Sequence, residues 1–344
     1  MNRAVTVDWL SMYCTSPMIV QNVDYEFRKL DAGSAQFSTI YNVYNIRDKE
    51  LYCTVQCHPY SPIIPKSSVM VKVANRYLYH SNWNITLQNF LFVCNITPIS
   101  ISRIDIACDF NTFDNNLHPQ NLIKGLLDGT YIKTGISKFA AQGDLDGENM
   151  YEYLRFGNRE SQCSVYLYNK TKELKDVKDK PYIREMWKES GIDTSKDVWR
   201  LEVSMRTTQL KMIIPLTGEI FRLGLDFVRT NSIVENVYNA AIRKYFDIRI
   251  NDGQRKKMRM KPVVLFKKDP TTILMVCPVN QACTNRMDKI VAKRVANYFS
   301  MYRLEDEENQ KKVMEALGII LDQTDLWDYY YEKIRPVLGW YKER

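Results

Sequence analysis

Along three stretches of the chain, apolar and polar side chains alternate with a period of two, the signature of strands with one buried and one polar face. They are SRIDIACDF (102–110), CSVYLYNK (163–170) and WRLEVSMR (199–206). In the first, Ile104, Ile106, Cys108 and Phe110 oppose Arg103, Asp105 and Asp109. In the second, Val165 and Leu167 oppose Ser164, Tyr166, Tyr168 and Lys170. In the third, Trp199, Leu201, Val203 and Met205 oppose Arg200, Glu202, Ser204 and Arg206. A stripe of acids and arginines spread over several strands is costly to bury without partners, and a metal ion or a phosphate would satisfy it.

The rest of the pattern predicts an α+β fold. Residues 1–110 hold short β-branched and aromatic runs such as FSTIYNVYNI and SVMVKVANRYLY, which predict strands. Helical spacing of Leu122, Ile123, Leu126 and Leu127 predicts a helix over 119–127, ended by Asp128-Gly129. AAQGDLDGEN (140–149) is turn chemistry, and strands follow at about 150–156 and 163–169. Lys170 to Asp197 carries eight bases and seven acids and reads as an exposed mixed-charge helix. Beyond about 210 the pattern is mainly helical, near 232–246, 283–302, 306–319 and 325–335. Strands followed by helices give α+β, with a strand-rich region over 1–210 and a basic, helical region over 211–344. RIDI (103–106) and RLEV (200–203) share one order of residue types, which leaves a pseudo-duplicated sheet open.

Composition narrows the class. The chain has 344 residues, 45% apolar and 26% charged, enough for a sizeable core. No apolar run is long enough to span a bilayer, and the start lacks a signal-peptide core, so a cytosolic protein is expected. Eight cysteines include one close pair, Cys53 and Cys57, without a second pair at zinc-finger spacing, so reduced core thiols are expected. The net charge is +8, and residues 243–268 alone hold ten bases against Asp247 and Asp252. Arg255, Lys256, Lys257 and Arg259 in that cluster form the electrostatic footprint of a phosphate-binding surface, with a solvated loop as the alternative. No GxxxxGK[ST] loop is present, so ATP use is not implied.

If the phosphate that this face would satisfy is a phosphodiester, cutting it by transesterification needs a nucleophile that stays on phosphorus, and a tyrosine phenol meets that need. Tyr166 and Tyr168 share a face, and parity alone does not separate them. Lys170 is expected two residues on from Tyr168, on the same face, where its charge would lower the phenol's pKa or neutralise phosphate. Asp105, Asp109 and Glu202 are oxygen ligands for Mg2+ or Mn2+, with salt bridges to Arg103, Arg200 and Arg206 as the alternative. Arg155 and Arg159, in LRFGNRES, are expected to hold phosphate, with ordinary surface arginines as the alternative, and Gly157 allows a turn or a close backbone approach. His58, His80 and His118 lie far apart, so the nickases that bind metal through a histidine, hydrophobe, histidine triplet are excluded.

RIDIACD, YLRFGNRES followed by SVYLYNK, and WRLEV resemble, in order, the motif series of the Rep_trans replication initiators of rolling-circle plasmids, phages and mobile elements. VDWLSMYCTSP is similar to that family's first strand, so the likeness runs from about Val7 to Met205. The resemblance implies an antiparallel sheet as the catalytic core over 1–210 and a dimeric nicking-closing enzyme that cuts one DNA strand at an origin through a tyrosine ester, helped by a divalent metal. A free 3′ hydroxyl would be left for host polymerase and helicase. It selects Tyr168, in the aromatic-x-tyrosine-x-lysine run, over Tyr166. A relaxase of a mobilisable element would share this chemistry, and an origin-binding protein without catalysis is the rival from another class.

Overall fold

The computed structural model describes residues 2–276 except 136–137, 144–150, 159–160, 178, 207–209, 215–219, 226–227, 229 and 268–273. They lie in a compact unit, Met1–Cys277; a second unit, Pro278–Arg344, and the helices expected at 283–302, 306–319 and 325–335 lie outside the described residues. The first strands are β1 (Arg3–Thr15), β2 (Tyr25–Lys29), β3 (Phe37–Asn45), β4 (Glu50–Pro59) and β5 (Ser68–Val73). A 3-10 turn (Asn75–Tyr79) and α1 (Trp83–Val93) lead to β6 (Thr97–Phe110), α2 (Pro119–Leu127) and β7 (Tyr131–Lys133). Then come β8 (Phe139–Gln142), β9 (Tyr153–Phe156), β10 (Cys163–Asn169), α3 (Lys170–Asp176), α4 (Pro181–Glu189) and β11 (Trp199–Arg206). The short β12 (Lys211–Ile213), β13 (Ile220–Arg222), α5 (Asn231–Tyr245), β14 (Ile248–Ile250) and β15 (Met275–Val276) complete the order.

Ten strands form one antiparallel sheet in the order β2-β3-β4-β5-β1-β6-β11-β10-β9-β8, so the fold is α+β as expected. The sheet repeats one topology. β1 lies at the centre, and β2 to β5 step inward from one edge until β5 meets β1; β6 lies beside β1, and β8 to β11 step inward from the other edge until β11 meets β6. β1 therefore corresponds to β6 and β5 to β11. The RIDI and RLEV strands, β6 and β11, are neighbours within one half, so their sequence echo is not the signal of the repeat.

One face of the sheet is apolar throughout. Leu10, Val55, Val71, Ile104, Ile106, Leu201 and Val203 are fully buried against Leu87 and Phe90 of α1 and Val237 and Tyr238 of α5. Each such side chain contributes about 1.5–3 kcal/mol, and a one-residue slip would turn the whole set to the wrong face, so this core fixes the register of the polar side. Spacings of three and four (Val234, Val237, Tyr238, Ala241, Ile242, Tyr245) make α5, capped by Thr230 and tied to β11 by Tyr238 Oη donating to Leu201 O at 3.1 Å. Residues 211–277 also contain β12 to β15, none longer than three residues, so the helical reading of this stretch holds for α5 alone among the described elements. Strands this short are below the length at which alternation is legible.

The charged stretch after 170 is two helices rather than one exposed helix. Leu174, Ile183 and Trp187 are buried with Ala4, Ile192 and Val198 in a small second core on the polar side of the sheet. The six described cysteines (14, 53, 57, 94, 108 and 163) are buried free thiols.

Candidate functional site

β6, β11, β10 and β9 lie side by side, and their register assembles the polar face. Arg200 stands between Asp109 and Tyr168, Glu202 between Ala107 and Tyr166, Ser204 between Asp105 and Ser164, and Arg206 opposite Arg103. On β9, Tyr153 is opposite Tyr168 and Arg155 opposite Tyr166. Asp8 joins them from β1. The pairing shifts between Val7 and Trp9, so Asp8 is the extra residue of a bulge and reaches the polar face together with Trp9.

Arg200 is the centre of a closed network. Its Nε donates to Asp109 Oδ1 at 2.6 Å and its NH2 to Asp109 Oδ2 at 2.7 Å and Tyr79 Oη at 3.0 Å, while NH1 donates to Asp8 Oδ1 at 2.7 Å. Trp187 Nε1 also donates to Asp109 Oδ2 at 2.6 Å, and Tyr79 donates to Asp8. Arg200 and Asp109 are fully enclosed. Burial opposes the charge on Arg200, but Asp109 and Asp8 hold its pKa well above the ordinary value. Burial likewise opposes ionisation of Asp8, and Arg200 and Lys170 overcome it, holding the carboxyl well below the usual range.

Tyr168 lies beside this network, its Oη donating to Glu202 Oε2 at 3.1 Å. Burial, followed by the charge of Glu202, pushes the phenol well above its ordinary pKa. Burial and then repulsion from Asp8 and Asp105 raise Glu202 to about 8. Lys170 differs from the expectation: β10 ends at Asn169, whose Oδ1 caps α3 by accepting from Lys172 N at 3.0 Å, so Lys170 begins a helix. Its ammonium still stands 5.5 Å from the Tyr168 ring centroid and pairs with Glu173, and burial and Arg200 push its pKa down. The expected lowering of the phenol by Lys170 is therefore not the outcome. The phenol's hydrogen-bond acceptor is instead Glu202.

Tyr153, Tyr166, Tyr168, Glu202, Lys172 and Glu173 line a cavity of about 580 Å3. Both tyrosines reach it, and only Tyr168 has the hydrogen bond to Glu202 given above. Gly157 turns the chain between β9 and β10 with φ +84°, where a Cβ would come within 2.9 Å of Cys163 O. Arg155 shares the face with Tyr166, and its Nε is buried with no hydrogen-bond partner. Arg159 lies outside the described residues. Arg255, Lys256, Lys257 and Arg259 are exposed, apart from this cavity, on a loop pinned by Arg249, which donates to Asp247 Oδ2 at 2.9 Å and to Met258 O and Met260 O at 2.9 and 3.0 Å.

The carboxylates expected to hold Mg2+ or Mn2+ share a face but are engaged separately. Asp109 accepts from Arg200 and Trp187 through both oxygens, Asp105 accepts from Arg103 at 2.9 and 2.6 Å, and Glu202 accepts from Tyr168. Among the described residues no group of three or more His, Cys, Asp or Glu is placed to hold a metal ion. The trio in this arrangement does not fit a divalent ion.

Three members of the site were missed in the sequence. Asp8 had a signal: buried Val7 gives way to buried Leu10, Met12 and Cys14, a change of parity that marks a bulge at Asp8-Trp9. Trp187 had a weaker one, its i,i+4 spacing from Ile183 in a charged helix. Tyr79, at the end of the 3-10 turn, had none.

No family model and no curated protein matches the chain. Among solved structures it is similar to the rolling circle replication initiator protein from Geobacillus stearothermophilus, at 16% identity over 76% of this chain and 92% of that one, with a TM-score of 0.45. No described helix is long and apolar enough to cross a membrane.

Proposed function

We propose that the chain is a replication initiator that nicks one DNA strand by tyrosine transesterification. The observation that carries this is the Tyr168 hydroxyl donating to Glu202, a carboxyl raised to about 8, at the wall of an open cavity. In the proposed step Glu202 takes the phenolic proton as Tyr168 Oη bonds to a backbone phosphorus. The P–O3′ bond breaks, the departing 3′ oxygen takes up the proton that Glu202 received and leaves as a hydroxyl, and the 5′ phosphate stays on Tyr168. Rejoining runs the same step backward. General-base help of this kind contributes about 10²–10⁴-fold. Arg155, with its unpartnered Nε, supplies charge for the phosphate, and the closed Arg200 network keeps β1, β6, β11 and α4 in register around the tyrosine. Origin DNA, host polymerase and helicase, and a second copy of the chain are the partners of this reading.

Incubation of the protein with supercoiled origin plasmid, with and without Mn2+, followed by detection of a covalent protein-DNA adduct, tests it. Tyr168→Phe should abolish the adduct and leave binding nearly unchanged, with Tyr166→Phe as control. An adduct kept by Tyr168→Phe and lost by Tyr166→Phe reverses the assignment. The rival reading, a binding protein without catalysis, draws on the ion pairs that consume Asp105 and Asp109; specific origin binding with no adduct from the wild-type protein would select it.

A further inference from the structure

The polar face continues past the tyrosine site, and there seven adjacent strands each contribute one residue to a single registered line. It runs from Arg28 on β2 through Asn42, Thr54, Lys72 and Ser11 to Arg103 and Arg206 on β6 and β11. Four of these are cations and none is a carboxylate. With strands about 4.8 Å apart, six intervals give a line about 29 Å long, enough for several nucleotides. Arg28 is exposed and the others are half-buried, so their polar ends reach the surface.

The middle of the line is built to hold positive charge in place. Lys72 Nζ lies 3.7 Å and Arg103 Cζ 4.6 Å from the centroid of the Trp9 indole, which reaches this face because of the Asp8 bulge. Lys72 has no carboxylate in ion-pair range among the described residues. Arg103 and Arg206 face each other directly across β6 and β11, which brings two guanidinium groups to one point of the line. Arg28 and Arg103 do have acidic neighbours, Glu26 and Asp105, which lie outside the line. The neutral hydrogen-bonding groups between the cations, and Trp9 and Tyr13 beside them, match a strand that offers both phosphates and unpaired bases. Along β11, Glu202 is four residues from Arg206, about 13 Å away.

We infer that this line is a track for single-stranded DNA that leads the strand to the cavity at Tyr166 and Tyr168. The inference takes its partner from the nicking reading. Its test is independent of cleavage.

Fluorescence anisotropy with a labelled single strand and the matching duplex, across salt concentrations, measures how many phosphates the protein neutralises. On a single strand each lost contact flattens the log–log salt slope by about 0.7, so Lys72→Gln with Arg206→Gln should flatten it by about 1.4 and leave the duplex slope unchanged. Tyr168→Phe should leave both slopes as they are. Thermal melting checks that the double variant is folded. The wild-type protein provides a second measurement: a photoreactive single strand should crosslink to the peptides containing Trp9 or Lys72. An unchanged single-strand slope in a folded variant, equal flattening on duplex, or crosslinks confined to other peptides would each overturn the track. Flattening without any covalent adduct from the wild-type protein would remove the nicking reading and support the track.

Discussion

Replacing Glu202 by glutamine keeps the shape of the side chain and removes its ionisation. Burial, then Asp8 and Asp105, raise this carboxyl from an ordinary 4.5 to about 8. At about 1.36 kcal/mol for each pH step, ionising it in the folded chain costs about 5 kcal/mol if it is fully enclosed. Glu202 retains some exposure, which brings the expected cost to about 2–3 kcal/mol. Because the pKa is raised by folding, the folded state holds the proton more tightly than the unfolded one. The contribution is fully present below about pH 4.5 and is lost as pH rises through about 8.

Urea denaturation of wild type and Glu202→Gln at pH 5 and pH 9 measures this directly, since every other titrating group is common to both proteins. The wild type should lose about 2–3 kcal/mol more than the variant over that interval. Stability curves that stay parallel would refute the placement of Glu202 among repelling acids. In the adduct assay the same carboxyl should give the wild type a rate that climbs with an apparent midpoint near 8, a limb that the glutamine variant lacks.

Breaking the Arg200–Asp109 pair with Asp109→Asn leaves a buried charge partly uncompensated and should cost about 3–5 kcal/mol by chemical denaturation. Trp187→Phe, which removes one donor to the same carboxylate, should cost about 1.5–3 kcal/mol in the same measurement. Glutamine at Arg255, Lys256, Lys257 and Arg259 should flatten the duplex salt slope by roughly 2–4, equally on origin and random sequence, and an unchanged slope would make the loop a solvated one. EDTA titrated into the adduct assay measures metal dependence: loss of cleavage would show that the carboxylates rearrange around an ion, and full activity would remove metal from the proposal.

How much of this was legible in the sequence depended on length and period. β11 falls at the bounds expected from WRLEVSMR, and α2 matches its expected range, because each has a clear periodicity and, in α2, a proline start and an Asp-Gly stop. The polar face was legible because parity depends only on backbone pleat. Lys170 shows the limit: parity carried past Asn169 predicts a strand position, but Asn169 is also a helix N-cap, and local capping chemistry ended the strand there. Which acid meets which arginine was not legible, because cross-strand partners follow from sheet order. With β6 and β11 adjacent and antiparallel, Arg200 meets Asp109 rather than an acid on its own strand.

That saturation constrains the chemistry more than any single distance. A guanidinium has five N–H donors, and Arg200 already makes four hydrogen bonds while fully enclosed, so it cannot also take up the charge that develops on an incoming phosphate. Lys170 is likewise occupied by Glu173. Arg155 is different, because its Nε is buried on the same face without a partner, a condition that an entering anion relieves. Arg155 faces Tyr166 across the strand pair, whereas Tyr168 faces Tyr153. In the proposed reaction a phosphate drawn to Arg155 would stand beside Tyr166, on the same face of β10 as Tyr168 and opposite Glu202 of β11. On that reading the two phenylalanine variants should differ in the adduct assay: Tyr166→Phe should keep the covalent bond to DNA, and Tyr168→Phe, which lacks the hydroxyl that donates to Glu202, should lose it.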